Sequence, residues 1–83
     1  MKKQDVIDKV NAFLIDEFEI EPELIKPEAT WQEMGIDSLD FVDIVVIVDN
    51  TFGVKLKGED MVDVKTLDDF YKFLEKRINV VAA

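Results

Sequence analysis

The segment Gly35-Ile36-Asp37-Ser38-Leu39-Asp40 holds the residues of this chain whose types and spacing come closest to a chemical site. A serine hydroxyl lies between two carboxylates, where a long apolar run begins. Read on spacing alone, this is the start of a helix: Asp37 or Ser38 caps the first free N–H groups, and Asp40 stands where a capping-box acid belongs. The serine has no obvious base. The chain contains no histidine and no cysteine, so a Ser/His/Asp triad, a Cys/His dyad, a disulfide framework and an ordinary zinc site are all excluded. Nineteen acidic residues guarantee that some carboxylates fall close together, so acid pairs by themselves are uninformative. Asp49-Asn50-Thr51-Phe52-Gly53 lacks the alternating oxygen ligands and terminal acid of a calcium loop. No glycine-rich phosphate loop is present. No metal site and no catalytic residue is expected, and the chain does not read as an enzyme.

The elements around Ser38 follow from periodicity. Val6, Val10, Phe13 and Leu14 recur at helical spacing, widened by Ile7 and Phe18, and predict an amphipathic helix over about Lys3 to Phe18. Pro22 and Pro27 break the stretch from Glu19 to Thr30 into a connector. Ile20, Leu24 and Ile25 are expected to pin that connector across the core, followed by Trp31 and Met34. The second helix is placed at about Ser38 to Phe52. Its β-branched content would suit a strand, but some fifteen residues without a breaker are too long for one. It is apolar almost all round, so it is either buried on most sides or offers apolar surface to a partner or a cargo. Gly53 ends it as a left-handed cap. Val54 and Leu56 alternate with Lys55 and Lys57 in an extended connector, and Gly58-Glu59-Asp60 opens a short helix to about Val64. The last helix begins at Thr66 with Asp69 in the capping-box position. Its stripe is Leu67, Phe70, Tyr71, Leu74 and Ile78; Lys76 and Arg77 are expected near its C-terminus, where the dipole favours positive charge. The tail 79–83 is expected to fray. The fold class is all-α: one domain over 1–83, a four-helix bundle of three main helices and one short helix.

Composition limits the partners. Ten basic against nineteen acidic residues give a net charge of −9, which disfavours nucleic acid and anionic membrane surfaces and favours proteins with basic patches. The apolar share of 48% suits a folded globule rather than a disordered chain. The N-terminal residues do not read as a signal peptide, and the longest apolar run, Ile44 to Val48, is too short to span a bilayer. A cytoplasmic monomer is expected.

The wider stretch from Glu33 to Val45 resembles the phosphopantetheine attachment region of acyl carrier proteins. The family hallmark Asp-Ser-Leu stands as Asp37-Ser38-Leu39, with Gly35 upstream. The resemblance extends to chain length, acidic balance, Phe52-Gly53-Val54-Lys55-Leu56 and Thr66-Leu67. It implies that a phosphopantetheinyl transferase moves 4'-phosphopantetheine from coenzyme A to Ser38, an acceptor that needs no base of its own. The free N–H groups and dipole of the helix start would favour the phosphodiester, and Asp37 would help the transferase to engage. Leu39, Asp40, Val42 and Asp43 would meet partner enzymes, among them acyl transferases and ketosynthases. Val42, Val45, Val46, Phe52, Leu56, Met61, Val64 and Leu67 are candidates to shield an acyl chain. Glu33-Met34, Phe41, Asp49-Asn50-Thr51, Lys55 and Lys57 depart from the pattern common in fatty-acid carriers. The implied function is to present acyl thioesters to fatty-acid or related polyketide enzymes. The alternatives are an aminoacyl or peptidyl carrier, including a D-alanyl carrier, and a helical interaction module without a prosthetic group.

Overall fold

In the computed structural model, which describes residues 2–82, three α-helices enclose one core: α1 (Lys3–Phe18), α2 (Asp40–Phe52) and α3 (Leu67–Ala82). Two short 3-10 helices, Pro22–Leu24 and Gly58–Asp63, lie in the connectors. No strand is present among the described residues, only an isolated antiparallel bridge between Thr30 and Thr66.

Helix α1 buries the stripe expected of it, Val6, Val10, Phe13 and Leu14, with Ile7 and Phe18 packed partly against the core. Helix α3 buries Leu67, Phe70, Tyr71, Leu74 and Ile78. The two helices meet directly, and the Tyr71 hydroxyl donates to Asn11 Oδ1 across their interface. Burial pushes the Tyr71 phenol up to about 12, opposed by the Asn11 hydrogen bond and aided by the nearby Asp68 charge.

Capping boxes set three of the corners. Thr66 and Asp69 bond reciprocally: the Asp69 N–H donates to Thr66 Oγ1 at 3.2 Å and the Thr66 N–H to Asp69 Oδ2 at 3.3 Å. Thr30 and Glu33 do the same ahead of the Trp31–Gly35 turn, and Asp37 and Asp40 ahead of α2. The connector before that turn is tied to the start of α3, because the Leu67 and Asp68 N–H groups donate to the carbonyls of Ala29 and Pro27 at 2.9 and 2.8 Å. Trp31 is the hub. Its Nε1–H donates to the Val64 carbonyl at 3.0 Å, and its ring stands edge-on to Phe41 and Phe70 at 5.8 and 5.2 Å.

Two expectations change. Leu24 does not pin the connector: it is 42% exposed on the Pro22–Leu24 turn, whereas Ile20, whose N–H donates to the Leu14 carbonyl just after the left-handed Glu19, is buried. Lys76 and Arg77 do not sit in a last turn, since α3 continues through Ala82; Ala83 lies outside the described residues. Arg77 instead reaches Asp60 at 3.4 Å and lies over the Phe73 ring, joining α3 to the Gly58–Asp63 helix. That short helix is 3-10 and ends at Asp63.

Candidate functional site

The corner carrying Ser38 is built from the Trp31–Gly35 turn. Its end has the hydrogen bonds of a Schellman motif: the Ile36 N–H donates to the Trp31 carbonyl at 2.9 Å and the Gly35 N–H to that of Gln32 at 3.0 Å. Gly35 takes the left-handed conformation this requires, at φ 78°. Ile36 is then buried at 4% exposure, and the chain leaves the core at Asp37.

The sequence reading left the cap open between Asp37 and Ser38. In the structure it is Asp37. Its Oδ1 accepts the N–H groups of Leu39 and Asp40 at 2.9 and 3.3 Å, and its own N–H donates to Asp40 Oδ2 at 3.2 Å. The backbone bonds here span three residues, Asp40 N–H to the Asp37 carbonyl and Phe41 N–H to that of Ser38. The regular helix therefore begins at Asp40, two residues later than expected. Ser38 is exposed, and the hydrogen bonds of this corner run to the aspartate carboxylates rather than to its hydroxyl.

This geometry fits an attached phosphodiester arm, with one change. The hydroxyl is open to solvent on a rigid corner, so an arm can leave without displacing core side chains. The Leu39 and Asp40 N–H groups, however, are already taken by Asp37. What remains for a phosphate is the helix dipole and the Ser38 N–H, which donates to no group among the described residues.

Helix α2 resolves the other ambiguity. Only Ile44 and Val48 are buried in it. Leu39, Val42 and Val46 are 80%, 64% and 54% exposed, and they follow one another three and four residues apart, on one face. Asp43 is exposed and Asp40 half-buried, so Leu39, Asp40, Val42 and Asp43 come together beside Ser38.

The eight cavity candidates separate. Val42 and Val46 face outward and do not line an interior space here. Val45 and Phe52 are half-buried against the core, while Leu56, Met61, Val64 and Leu67 are closed inside it. Two open depressions lie on the surface instead. One of about 530 Å³ is lined by Val64, Phe73 and charged side chains of α3 and the Gly58–Asp63 helix. The other, of about 340 Å³, is formed by Glu17, Phe18, Asp43, Val46 and Ile47. Glu17 and Phe18 were not foreseen as part of this face. Phe18 is read in the sequence as widening the α1 stripe, and only tertiary packing sets it and Glu17 beside α2.

Residues 8–74 match the family described as the phosphopantetheine attachment site. The chain belongs to the acyl carrier protein family. It is similar to an acyl carrier protein of Thermosynechococcus vestitus, 30% identical over 79 residues, which are 94% of this chain and 98% of that one. It is also similar to the acyl carrier protein AcpXL of Rhizobium meliloti, 46% identical over 60 residues, 71% of this chain and 63% of that one. The crystal structure of an acyl carrier protein from Thermotoga maritima has a TM-score of 0.82 at 21% identity, covering 98% of this chain and 95% of that one, and shares the fold. The prosthetic group of this family is phosphopantetheine. Among the described residues, no helix of the carrier is long and apolar enough to cross a membrane.

Proposed function

We propose that this carrier holds acyl intermediates as thioesters on a 4'-phosphopantetheine arm attached to Ser38, and presents them in the cytoplasm to enzymes of fatty-acid or related polyketide synthesis. One observation carries the assignment to Ser38: the hydroxyl is exposed at the capped corner of α2 and takes no part in the cap. A serine retained as a cap would accept the N–H groups that Asp37 accepts. The prosthetic group supplies the thiol that the chain lacks.

The chain's own residues have separable tasks in this reading. Asp37 and Asp40 hold the corner in one conformation. Leu39 and Val42 offer apolar contact beside the serine, and Asp43 offers charge to a basic partner. The carrier performs no catalysis itself; a transferase loads it, and acyl transferases and ketosynthases act on the cargo. Val45, Phe52, Leu56, Met61, Val64 and Leu67 shield the start of the acyl chain when the core parts to admit it.

Mass spectrometry tests this after incubation with coenzyme A and a broad-specificity phosphopantetheinyl transferase. One prosthetic group is expected on the wild type and none on Ser38→Ala. Addition that persists in Ser38→Ala refutes the assignment. Loading of the holo form by malonyl-transfer rather than amino-acid-activating enzymes distinguishes acyl from aminoacyl cargo.

A further inference from the structure

The first side chain that α2 turns toward the core beyond Ser38 is Phe41. Phe41, Ile44, Val45, Val48 and Phe52 follow one another at helical spacing; Ile44 and Val48 are buried, and the other three are half-buried against the core. The Phe41 N–H donates to the Ser38 carbonyl at 3.3 Å, so the ring belongs to the turn that carries the attachment residue. A chain that leaves Ser38 and turns inward along α2 meets Phe41 before it meets Val45, Met61 or Val64.

The two sides of this mouth are held unequally. Trp31, on the far side, is 7% exposed. Its Nε1–H donates to the Val64 carbonyl at 3.0 Å, and its ring stands edge-on to the fully buried Phe70 at 5.2 Å. Moving Trp31 would strip that carbonyl of its donor. Phe41 has no polar side-chain atom to strand. It is half-buried and meets Trp31 edge-on at 5.8 Å. A phenylalanine on a helix has two χ1 wells open to it, so Phe41 is the side that can swing out. Behind it lies Met61, 1% exposed and unbranched, the kind of core side chain that yields room most readily.

We propose that Phe41 is a specificity-determining residue of this carrier, setting the shortest acyl cargo that its core admits. Interior side chains are close-packed, so a cargo enters on this side by displacing Phe41. Swinging the ring out gives up the Trp31 contact and uncovers apolar surface, which burial of roughly two to four methylenes of cargo offsets. An acetyl group therefore stays outside, whereas a decanoyl chain enters. The inference rests on the carrier reading and adds to it a dependence on chain length that one side chain controls.

The test loads wild type and Phe41→Ala from coenzyme A or from acetyl-, hexanoyl- or decanoyl-coenzyme A, with a broad-specificity phosphopantetheinyl transferase, and checks each product by mass. Melting temperature is then compared with that of the same protein in the holo form. In the wild type, acetyl and hexanoyl cargo are expected to add less than about 2 °C and decanoyl cargo about 5 °C; in Phe41→Ala the larger rise is expected already with hexanoyl. Trp31 is the only tryptophan and reports on the mouth directly. Acrylamide should quench it more strongly in holo Phe41→Ala than in holo wild type, and hexanoyl cargo should restore its protection. Phe41→Leu, which keeps an apolar side chain but no ring, replaces Phe41→Ala if the latter does not fold. The same dependence of melting temperature on chain length in wild type and variant, or Trp31 quenching that hexanoyl cargo leaves unchanged in the variant, overturns the role of Phe41. No gain in mass on wild-type Ser38 overturns the carrier reading, and the role of Phe41 with it.

Discussion

Replacing Asp37 or its neighbour Ser38 separates the stability of the α2 corner from its chemistry. Asp37→Ala removes the acceptor of two N–H groups, at 2.9 and 3.3 Å, and one half of the reciprocal pair with Asp40. Loss of a helix cap costs about 0.5–2 kcal/mol. Loss of negative charge at a helix start adds roughly 0.3–1 kcal/mol. Two bonds and a charge at one corner place the expected cost at about 1–2 kcal/mol. For a domain of this size each kcal/mol moves the melting temperature by about 4–8 °C, so a drop of roughly 5–15 °C is expected. Ser38→Ala removes an exposed hydroxyl that caps nothing, and its expected effect lies within about 0.5 kcal/mol. Asp37→Asn keeps an acceptor and loses the charge, and should fall between them. Thermal unfolding followed by circular dichroism measures all three. If Ser38→Ala loses more than about 1 kcal/mol, or Asp37→Ala loses nothing, the capping assignment is wrong and Ser38 carries a structural role of its own.

Other parts of the fold offer further checks. Trp31→Phe removes the Nε1–H donor to the buried Val64 carbonyl and should cost about 1–2 kcal/mol in chemical denaturation; a neutral result would mean that the aromatic contacts alone hold the hub. Glu19 closes α1 at φ 55°, in the left-handed region that glycine occupies without strain. Glu19→Gly should therefore raise the melting temperature by a few degrees, on the order of 0.5–1 kcal/mol after the entropy of a freer unfolded chain is subtracted, and a lower melting temperature would contradict this. Tyr71 has a folded pKa of about 12 against an ordinary 10, so the stability linked to its neutral form is complete below pH 10 and is lost as pH rises toward 12. Unfolding midpoints between pH 9 and 12 should show this decline in the wild type and a smaller one in Tyr71→Phe.

Much of this molecule is determined by sequence alone, because its local signals are strong and agree with one another. The α1 and α3 stripes at three- and four-residue spacing, the glycine after Phe52 and the Thr66/Asp69 box each specify an element without reference to the rest of the chain. The family resemblance is likewise legible in the chain, carried by Asp37-Ser38-Leu39 together with Gly35, the chain length, the acidic balance, Phe52-Gly53-Val54-Lys55-Leu56 and Thr66-Leu67. Tertiary structure decided what periodicity cannot. A helix apolar almost all round has no face that must be inward, and only packing shows that Ile44 and Val48 go into the core while Leu39, Val42 and Val46 do not. The same holds for the corner: Asp37 and Ser38 are both good caps, and the choice depends on where Gly35 and the buried Ile36 aim the backbone. Glu17 and Phe18 join the α2 face across more than twenty residues of intervening chain, a proximity that no local pattern encodes. The serine and its motif are thus legible in the chain, whereas the face of α2 left exposed beside it is decided only when Ile44 and Val48 pack into the core.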